Sequence, residues 1–296
     1  MNRPLFLLLG TGIALGLNFP LGKLAMAAGI SPALWAAMIS AGAGLVMLFI
    51  VAVTERKELS RTSTLTSTLY FAIVSSFLSY VVPSVLTYTV IPKIGSGLAA
   101  IMFALSPVVT ALLSVIFRVR PPNLISIFGI ILGLAGAGII IFSRNTDFSG
   151  GAAPWILLAL LIPLFLGAGN VFRTMAWPFG ASPRKLAAHT NIAAVPFLAV
   201  LVYGQTGAID VMPLASIPGL AALQLAVSIV MFLMFFRLQQ VGGPTYLSQI
   251  GYVAAAVGVV VGVFYFGETY PPSVWAGAVI IAIGIAFSTF GQAKKA

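Results

Sequence analysis

Long apolar runs separated by short polar punctuation dominate this chain, and ten of them approach the length of a membrane-crossing helix. They cover residues 4–26, 32–53, 69–90, 96–117, 124–142, 154–175, 185–203, 218–236, 244–266 and 273–290. Each is close to the ~20 residues that cross a ~30 Å hydrocarbon layer at ~1.5 Å per residue. Backbone groups in lipid must find hydrogen bonds within their own segment, so such runs predict helices. The expected fold is an all-α polytopic membrane protein of ten transmembrane helices, with connections too short for a soluble domain. Arg3, an apolar run and Ala25-Met26-Ala27 imitate a cleavable leader. Asn18, Pro20 and Lys23 interrupt the run where cleavage needs it clean, so an uncleaved first span is expected.

Composition strengthens this picture: 60% of residues are hydrophobic and 7% charged, against roughly 25% charged in soluble domains. The mean hydropathy is +1.11. The 15 Lys and Arg against 5 Asp and Glu give a net charge of +10, but the bases are scattered between apolar runs. That distribution argues against a nucleic-acid partner, which needs a clustered basic face. With no Cys and one His, thiolate and His-cluster metal sites are excluded. The acids Glu55, Glu58, Asp147, Asp210 and Glu268 all fall at the ends of apolar runs. No paired carboxylates therefore sit at membrane depth, and neither a phosphate-cradling loop nor a nucleophile elbow occurs. No catalytic residue, enzymatic activity, metal or cofactor is expected.

The charge is also a topology code. With ten spans, both termini share one side. Arg3, Arg56, Lys57, Arg61, Arg118, Arg120, Arg173, Arg184, Lys185, Arg237, Lys294 and Lys295 fall on or nearest that side; Lys23, Lys93 and Arg144 fall on the other. This asymmetry predicts a multi-pass protein of the cytoplasmic (inner) membrane with both termini cytoplasmic.

The second half of the chain rewrites the first. Ile94-Gly95-Ser96-Gly97 leads into the fourth run much as Val241-Gly242-Gly243-Pro244 leads into the ninth, and Pro121-Pro122 corresponds to Pro271-Pro272. At an offset of about 148 residues, Gly95, Gly129 and Gly136 fall on Gly243, Gly277 and Gly284. Asn18 and Gly29-Ile30-Ser31-Pro32 correspond to Asn170 and Gly180-Ala181-Ser182-Pro183. Five spans per half turn the second copy upside down, so equivalent loops should carry opposite charge. Arg184-Lys185 follows the second Ser-Pro but no base follows the first, and Arg118 and Arg120 answer to Glu268. The expected organisation is two inverted five-helix repeats, residues 1–145 and 152–292, an arrangement typical of carriers that rock about a midplane site.

With the repeat laid out, the chain resembles the drug/metabolite transporter superfamily in its ten-span EamA-type branch. The resemblance rests on Asn18-Phe19-Pro20-Leu21-Gly22-Lys23, on Ser31-Pro32, on residues 99–107 ending in Leu105-Ser106-Pro107, on Gly129 and Gly136, and on Gly267-Glu268 followed by Gly277 and Gly284. Two departures stand out: Arg118-Val119-Arg120 replaces the Gly-Glu usual before the fifth span, and Ala255 stands where the second repeat would repeat Pro107. The resemblance implies a central cavity lined by spans 1, 3, 4, 6, 8 and 9. It also implies export of amino acids or other metabolites, or carriage of sugar phosphates or nucleotide sugars.

Candidate cavity residues follow from polar groups inside apolar runs. Asn18 and Asn170 occupy repeat-equivalent spans, each in a helix-weakening context, and an unpaired amide there costs several kcal/mol. Each either bonds a neighbouring helix or lines the cavity. Tyr80 and Tyr88 interrupt the third span; Ser248, Gln249 and Tyr252 interrupt the ninth, with Ser248 and Tyr252 on one helical face. Such aromatic bodies with polar tips suit a small amphipathic solute. Tyr88 also fits an interfacial anchor. His189, the one group in a span able to titrate near neutrality, is a candidate for substrate or proton handling, or a residue of the headgroup layer. Arg173 and Lys23 are expected to snorkel to the interfaces, and Trp35, Trp155, Trp177 and Trp275 to form aromatic belts. Gly12/Gly16, Gly129/Gly133 and Gly258/Gly262 have the small-residue spacing of closely packed helices.

The expected function is alternating-access export of amino acids or related metabolites, by facilitated diffusion or exchange. An importer or exchanger of sugar-phosphate or nucleotide-sugar anions is the alternative within transport, and a membrane scaffold the alternative outside it. The expected partners are a small-molecule substrate and the lipid bilayer; the sequence assigns no oligomeric state.

Overall fold

A computed structural model of the chain describes residues 3–55, 65–119, 123–143, 153–267, 269 and 271–293. Arg56, Lys57, Glu58, Arg61, Arg120, Pro121, Pro122, Arg144, Asp147, Glu268, Lys294 and Lys295, which carried parts of the topology and repeat argument, lie outside these residues. Among the described residues every regular element is helical.

In chain order the helices are α1 (Arg3–Ala27), α2 (Pro32–Thr54), α3 (Leu65–Ser76), α4 (Val82–Ile94), α5 (Ser96–Phe103), α6 (Ser106–Ile116) and α7 (Leu124–Ser143). They continue as α8 (Ala153–Ala159), α9 (Leu161–Met175), α10 (Pro183–Thr206), α11 (Pro218–Ser248), α12 (Ile250–Phe266) and α13 (Pro272–Ala293). Seven helical stretches of 21 to 31 residues are long and apolar enough to span a membrane, and three shorter apolar ones begin at Leu124, Ile250 and Pro272.

Several helix ends are written in the sequence. The two Gly-x-Ser-Pro segments have one geometry. Gly29 (φ 82°) and Gly180 (φ 71°) turn the chain, and Ser31 and Ser182 then cap α2 and α10, with Pro32 and Pro183 in the first turn. The Ser31 hydroxyl accepts from the Leu34 amide at 3.2 Å, and that of Ser182 from the Lys185 amide at 3.1 Å. Each pairing satisfies one orphan donor of a helix start. Ser182 also donates to Glu55 Oε2 at 2.5 Å, and Arg184 Nη1 stands 4.0 Å from Glu55 Oε1, tying the end of α2 to the start of α10.

Other features depart from the sequence reading. Asn18 and Asn170 do not mark helix breaks: α1 runs unbroken through Pro20, and α9 through Gly167 and Gly169. Pro20 removes one intrahelical donor, but the Asn18 side-chain amide donates back to the Ala14 carbonyl at 3.0 Å and to Leu15 at 3.3 Å, bracing that turn. Breaks occur instead at Leu160, at Ala104–Leu105, at Gly243 and at Gln249. Between α3 and α4, residues Phe77–Val81 form a π-turn. Pro83 has no N–H to give the Ser79 carbonyl, and the Val82 amide bonds five residues back to Phe77.

Residues 237–242, expected as a loop, continue α11 because Leu238 and Gln239 are buried in the bundle. Trp35, expected in an interfacial belt, is completely buried. It faces the core because α2 packs closely along α10. Trp275 remains exposed, and Trp177 donates from its indole to the Ala181 carbonyl at 3.2 Å.

The tightest pairings are α7 with α13, α2 with α10, α1 with α11 and α12, α5 with α12, and α6 with α9. Lipid offers no hydrophobic gain for helix association, so close approach depends on small residues. A Cβ at Gly136 would stand 2.5 Å from the Gly277 carbonyl oxygen, and one at Gly284 2.5 Å from that of Gly129. Gly12, Gly16 and Gly258 likewise receive Val253, Val257 and Ala100.

Gly284→Ala should therefore destabilise the α7–α13 contact by ~1–3 kcal/mol, read as a lower Tm in detergent. Gly138→Ala, where a Cβ meets nothing, should leave Tm close to wild type. Gly243→Ala should cost a similar ~1–3 kcal/mol, because φ 71° with ψ −175° is a region nearly confined to glycine.

Candidate functional site

A cavity of about 90 Å³ lies at the centre of the bundle. Its wall comes from α1, the π-turn with α4, α5 and α6, α9 and α11 with the start of α12, with single contributions from α2 (Ile39) and α10 (Thr190). In terms of the ten apolar runs these are spans 1, 3, 4, 6, 8 and 9, plus one residue each from spans 2 and 7.

Of the eight residues singled out in the sequence, Asn18, Tyr80, Tyr88, Asn170 and Ser248 line this cavity. Tyr88 is buried rather than interfacial, seated against Gly22, where a Cβ would collide with its ring. The Tyr80 hydroxyl donates to the Ala36 carbonyl of α2 at 3.1 Å, and Ser248 donates to Thr245 within its own turn at 2.7 Å. Gln249, Tyr252 and His189 do not line it. Gln249 and Tyr252 are buried beside it, the Tyr252 ring filling the space that Gly133 leaves open. His189 is half-buried, its Nδ1 2.7 Å from the Lys185 carbonyl of its own helix.

Two polar networks cross the cavity wall. In the first, the Asn18 carbonyl oxygen accepts from Gln224 Nε2 and, at 3.4 Å, from Ser228 Oγ. Gln224 Nε2 also donates to Ser228 at 2.8 Å, so one amide of α1 is held by two residues of α11. In the second, Asn170 donates to Thr110 Oγ1 at 3.1 Å and accepts from Arg173 Nη2 at 2.6 Å. Arg173 Nε donates to Gln239 Oε1 at 3.4 Å, and its Nη1 to Ser79 Oγ of the π-turn. Gln239 then donates to Thr174 Oγ1 at 2.7 Å, and Thr174 donates to the Asn170 backbone carbonyl at 3.1 Å, closing the ring.

Arg173 is the main correction to the sequence reading. It does not snorkel to a surface: only 1% of it is exposed, and its guanidinium lies 4.8 Å from the Phe235 ring centroid. Helical side chains lean toward the N-terminus of their helix, which for α9 means away from the near surface and into the bundle. The hydrogen-bond partner Ser79 lies midway along the 30-residue stretch Leu65–Ile94, so the charge reaches the interior. The available signal was its spacing: Arg173 follows Asn170 by three residues, on one helical face. Gln224 and Ser228, four apart within an otherwise apolar run, carried the same unread signal.

An aromatic wall accompanies these networks. Phe19 meets Phe103 edge-on with centroids 4.9 Å apart, and Tyr80 meets Phe232 at 5.4 Å. The arrangement can hold a small solute with an apolar body and a polar end, bound by hydrogen bonds, ring faces and one cation.

Gln224→Leu should destabilise the protein by ~1–3 kcal/mol by stripping a donor from the buried Asn18 carbonyl. Asn18→Leu combined with Gln224→Leu should cost less than the sum of the single changes. Thermal unfolding in detergent checks both.

Residues 2–142 match the EamA-like transporter family. A solved crystal structure is similar over 95% of this chain and 98% of its own, with a TM-score of 0.67 at 15% identity, a likeness of fold alone. Comparison with curated proteins gives no match. The match over residues 2–142 supports the drug/metabolite transporter superfamily for the first half of the chain, and the apolar helices are those of a multi-pass membrane protein.

Proposed function

We propose that the protein is a ten-span, two-repeat carrier that moves small organic metabolites by alternating access. The observation that carries this reading is the central cavity, whose wall draws on helices from both halves of the chain. The helix pairing supports the two-repeat organisation, residues 1–145 and 152–292. Exchanging each of spans 1–5 with its counterpart in spans 6–10 leaves the pattern nearly unchanged. The α7–α13, α2–α10 and α5–α12 pairs map onto themselves, and α1–α12 maps onto α9–α6. The positive-φ glycines Gly95 (φ 83°) and Gly243 (φ 71°) open the two cavity-side spans alike.

Within that reading, Asn18, Tyr80, Tyr88, Asn170 and Ser248 contact the solute, joined by Ser79 and Arg173. Gln249 and Tyr252 support the wall from behind. Proton coupling is not needed: His189, the residue suited to it, lies off the cavity against its own helix. The charge asymmetry of the loops favours an inner-membrane protein with cytoplasmic termini, and export of amino acids or related compounds is the favoured direction and class. A sugar-phosphate or nucleotide-sugar exchanger is disfavoured, since a multiply charged solute needs several cations and, among the described residues, one lines this cavity.

The chain has no Cys, so a single reporter can be placed without background. In proteoliposomes, Cys at Ser84 should react with a membrane-impermeant maleimide added to either side, and saturating solute should slow that reaction. Wild-type liposomes should show counterflow of a small amphipathic solute such as phenylalanine or 3-phenylpropionate. Labelling from one side only, with no counterflow of any solute tested, would remove the alternating-access reading.

A further inference from the structure

We propose that Arg173 is the anchor for a single carboxylate, and that the transported solute is an organic monocarboxylate with an apolar body. This rests on the carrier reading above and names its substrate class.

The first argument is electrostatic. A guanidinium is always charged, and placing a charge in a water-poor interior is costly unless it is paired. Arg173 is buried, yet its bonding partners Ser79, Asn170 and Gln239 are all neutral. Of the acids among the described residues, Glu55 is engaged with Ser182 and Arg184, and Asp210 caps the Met212 amide on an exposed loop. Neutral dipoles and the Phe235 face hold the cation in place without cancelling its charge. A monoanion entering the cavity would cancel it.

The second argument is geometric. Guanidinium offers five N–H donors in a planar fork. The three bonds to Gln239, Ser79 and Asn170 fix the plane and use one donor on each nitrogen. Two donors remain, one on each terminal nitrogen. Arg173 belongs to the cavity wall, so a carboxylate can meet a cation whose orientation is already set. Holding the fork in advance lowers the entropy cost of binding.

The third argument bounds the solute. Arg173 is the one charged side chain lining the cavity among the described residues. It neutralises one negative charge, so a phosphate dianion would bring an uncompensated charge inside. Among the described residues no carboxylate lines the wall to pair with an ammonium. The rest of the wall is largely apolar, with Phe19, Phe103, Tyr80 and Phe232 among its rings, and its other polar groups are neutral hydroxyls and amides. Recognition therefore lies in the carboxylate and the apolar body, and an α-amino group is not required.

The test uses the full chain, with binding measured in detergent and counterflow in proteoliposomes. The probes are 3-phenylpropionate, its neutral amide, phenylalanine and glucose 6-phosphate. Wild type should bind 3-phenylpropionate roughly ten- to hundredfold more tightly than the amide, the range expected for a charge-assisted hydrogen-bonded pair. Arg173→Gln should abolish that preference by weakening the acid while leaving amide binding near wild type, which also shows that the variant is folded. Arg173→Lys, which keeps the charge but loses the fork, should fall between them.

Binding of 3-phenylpropionate at least as tight as that of phenylalanine supports the proposal. A requirement for the amino group, tighter binding of glucose 6-phosphate, or an unchanged acid-to-amide ratio in Arg173→Gln overturns it. Failure of both acids to bind the wild type overturns it as well. Arg173-dependent acid preference without counterflow would sink the carrier reading and leave the anchor standing. Counterflow with no dependence on Arg173 would do the reverse.

Discussion

A cation inside a lipid-embedded bundle has to be solvated by the protein that carries it. Lipid tails supply no hydrogen bonds, so each polar group that Arg173 needs must arrive on a neighbouring helix at a fixed depth. Ser79 comes from the π-turn, Asn170 from the same helix one turn earlier, and Gln239 from the far part of α11. That requirement is met by features that would otherwise look awkward: a widened turn in mid-span, an amide in α9, and an α11 that continues past the point where its apolar run ends. The packing of three helices is thus set partly by the coordination of one side chain.

The opposite arrangement holds at the periphery. Where α7 meets α13 there is almost no polar chemistry, and the backbones touch through Gly129, Gly133, Gly136, Gly277 and Gly284. Dispersion between close backbones is what remains to hold helices in a solvent as apolar as they are. The molecule therefore combines two kinds of cohesion: hydrogen-bonded polar clusters around the cavity and glycine-mediated contact outside it.

Much of this was legible in the chain because hydrophobic run length and cap chemistry are local. The Gly-x-Ser-Pro segments announced two helix starts through residues adjacent in sequence, and the spacing of Gly12 and Gly16 announced a close contact. Asn18, Asn170 and Tyr80 stood out as polar groups in apolar surroundings. What could not be read was direction and partnership. Arg173 near the end of an apolar run has the same sequence appearance whether it reaches outward or inward, and the choice depends on Ser79, 94 residues away. Trp35 has the composition of an interfacial anchor and the environment of a core residue. Pro20 stands in a helix-weakening context, yet α1 continues through it. Gly243, by contrast, marked a true change of backbone direction within one continuous-looking segment.

The π-turn at Phe77–Val81 also governs what the cavity is made of. A helix advances about 100° per residue, so one additional residue in a turn re-indexes every side chain beyond it. The face that Pro83, Ser84, Thr87 and Tyr88 present to the centre is therefore a consequence of phase, not of their identity. Losing one residue from the turn would swing this set toward lipid and bring its neighbours inward without altering any lining residue. In an inherited sequence, length here is as much a determinant of specificity as composition, and substitution tables read column by column would miss it.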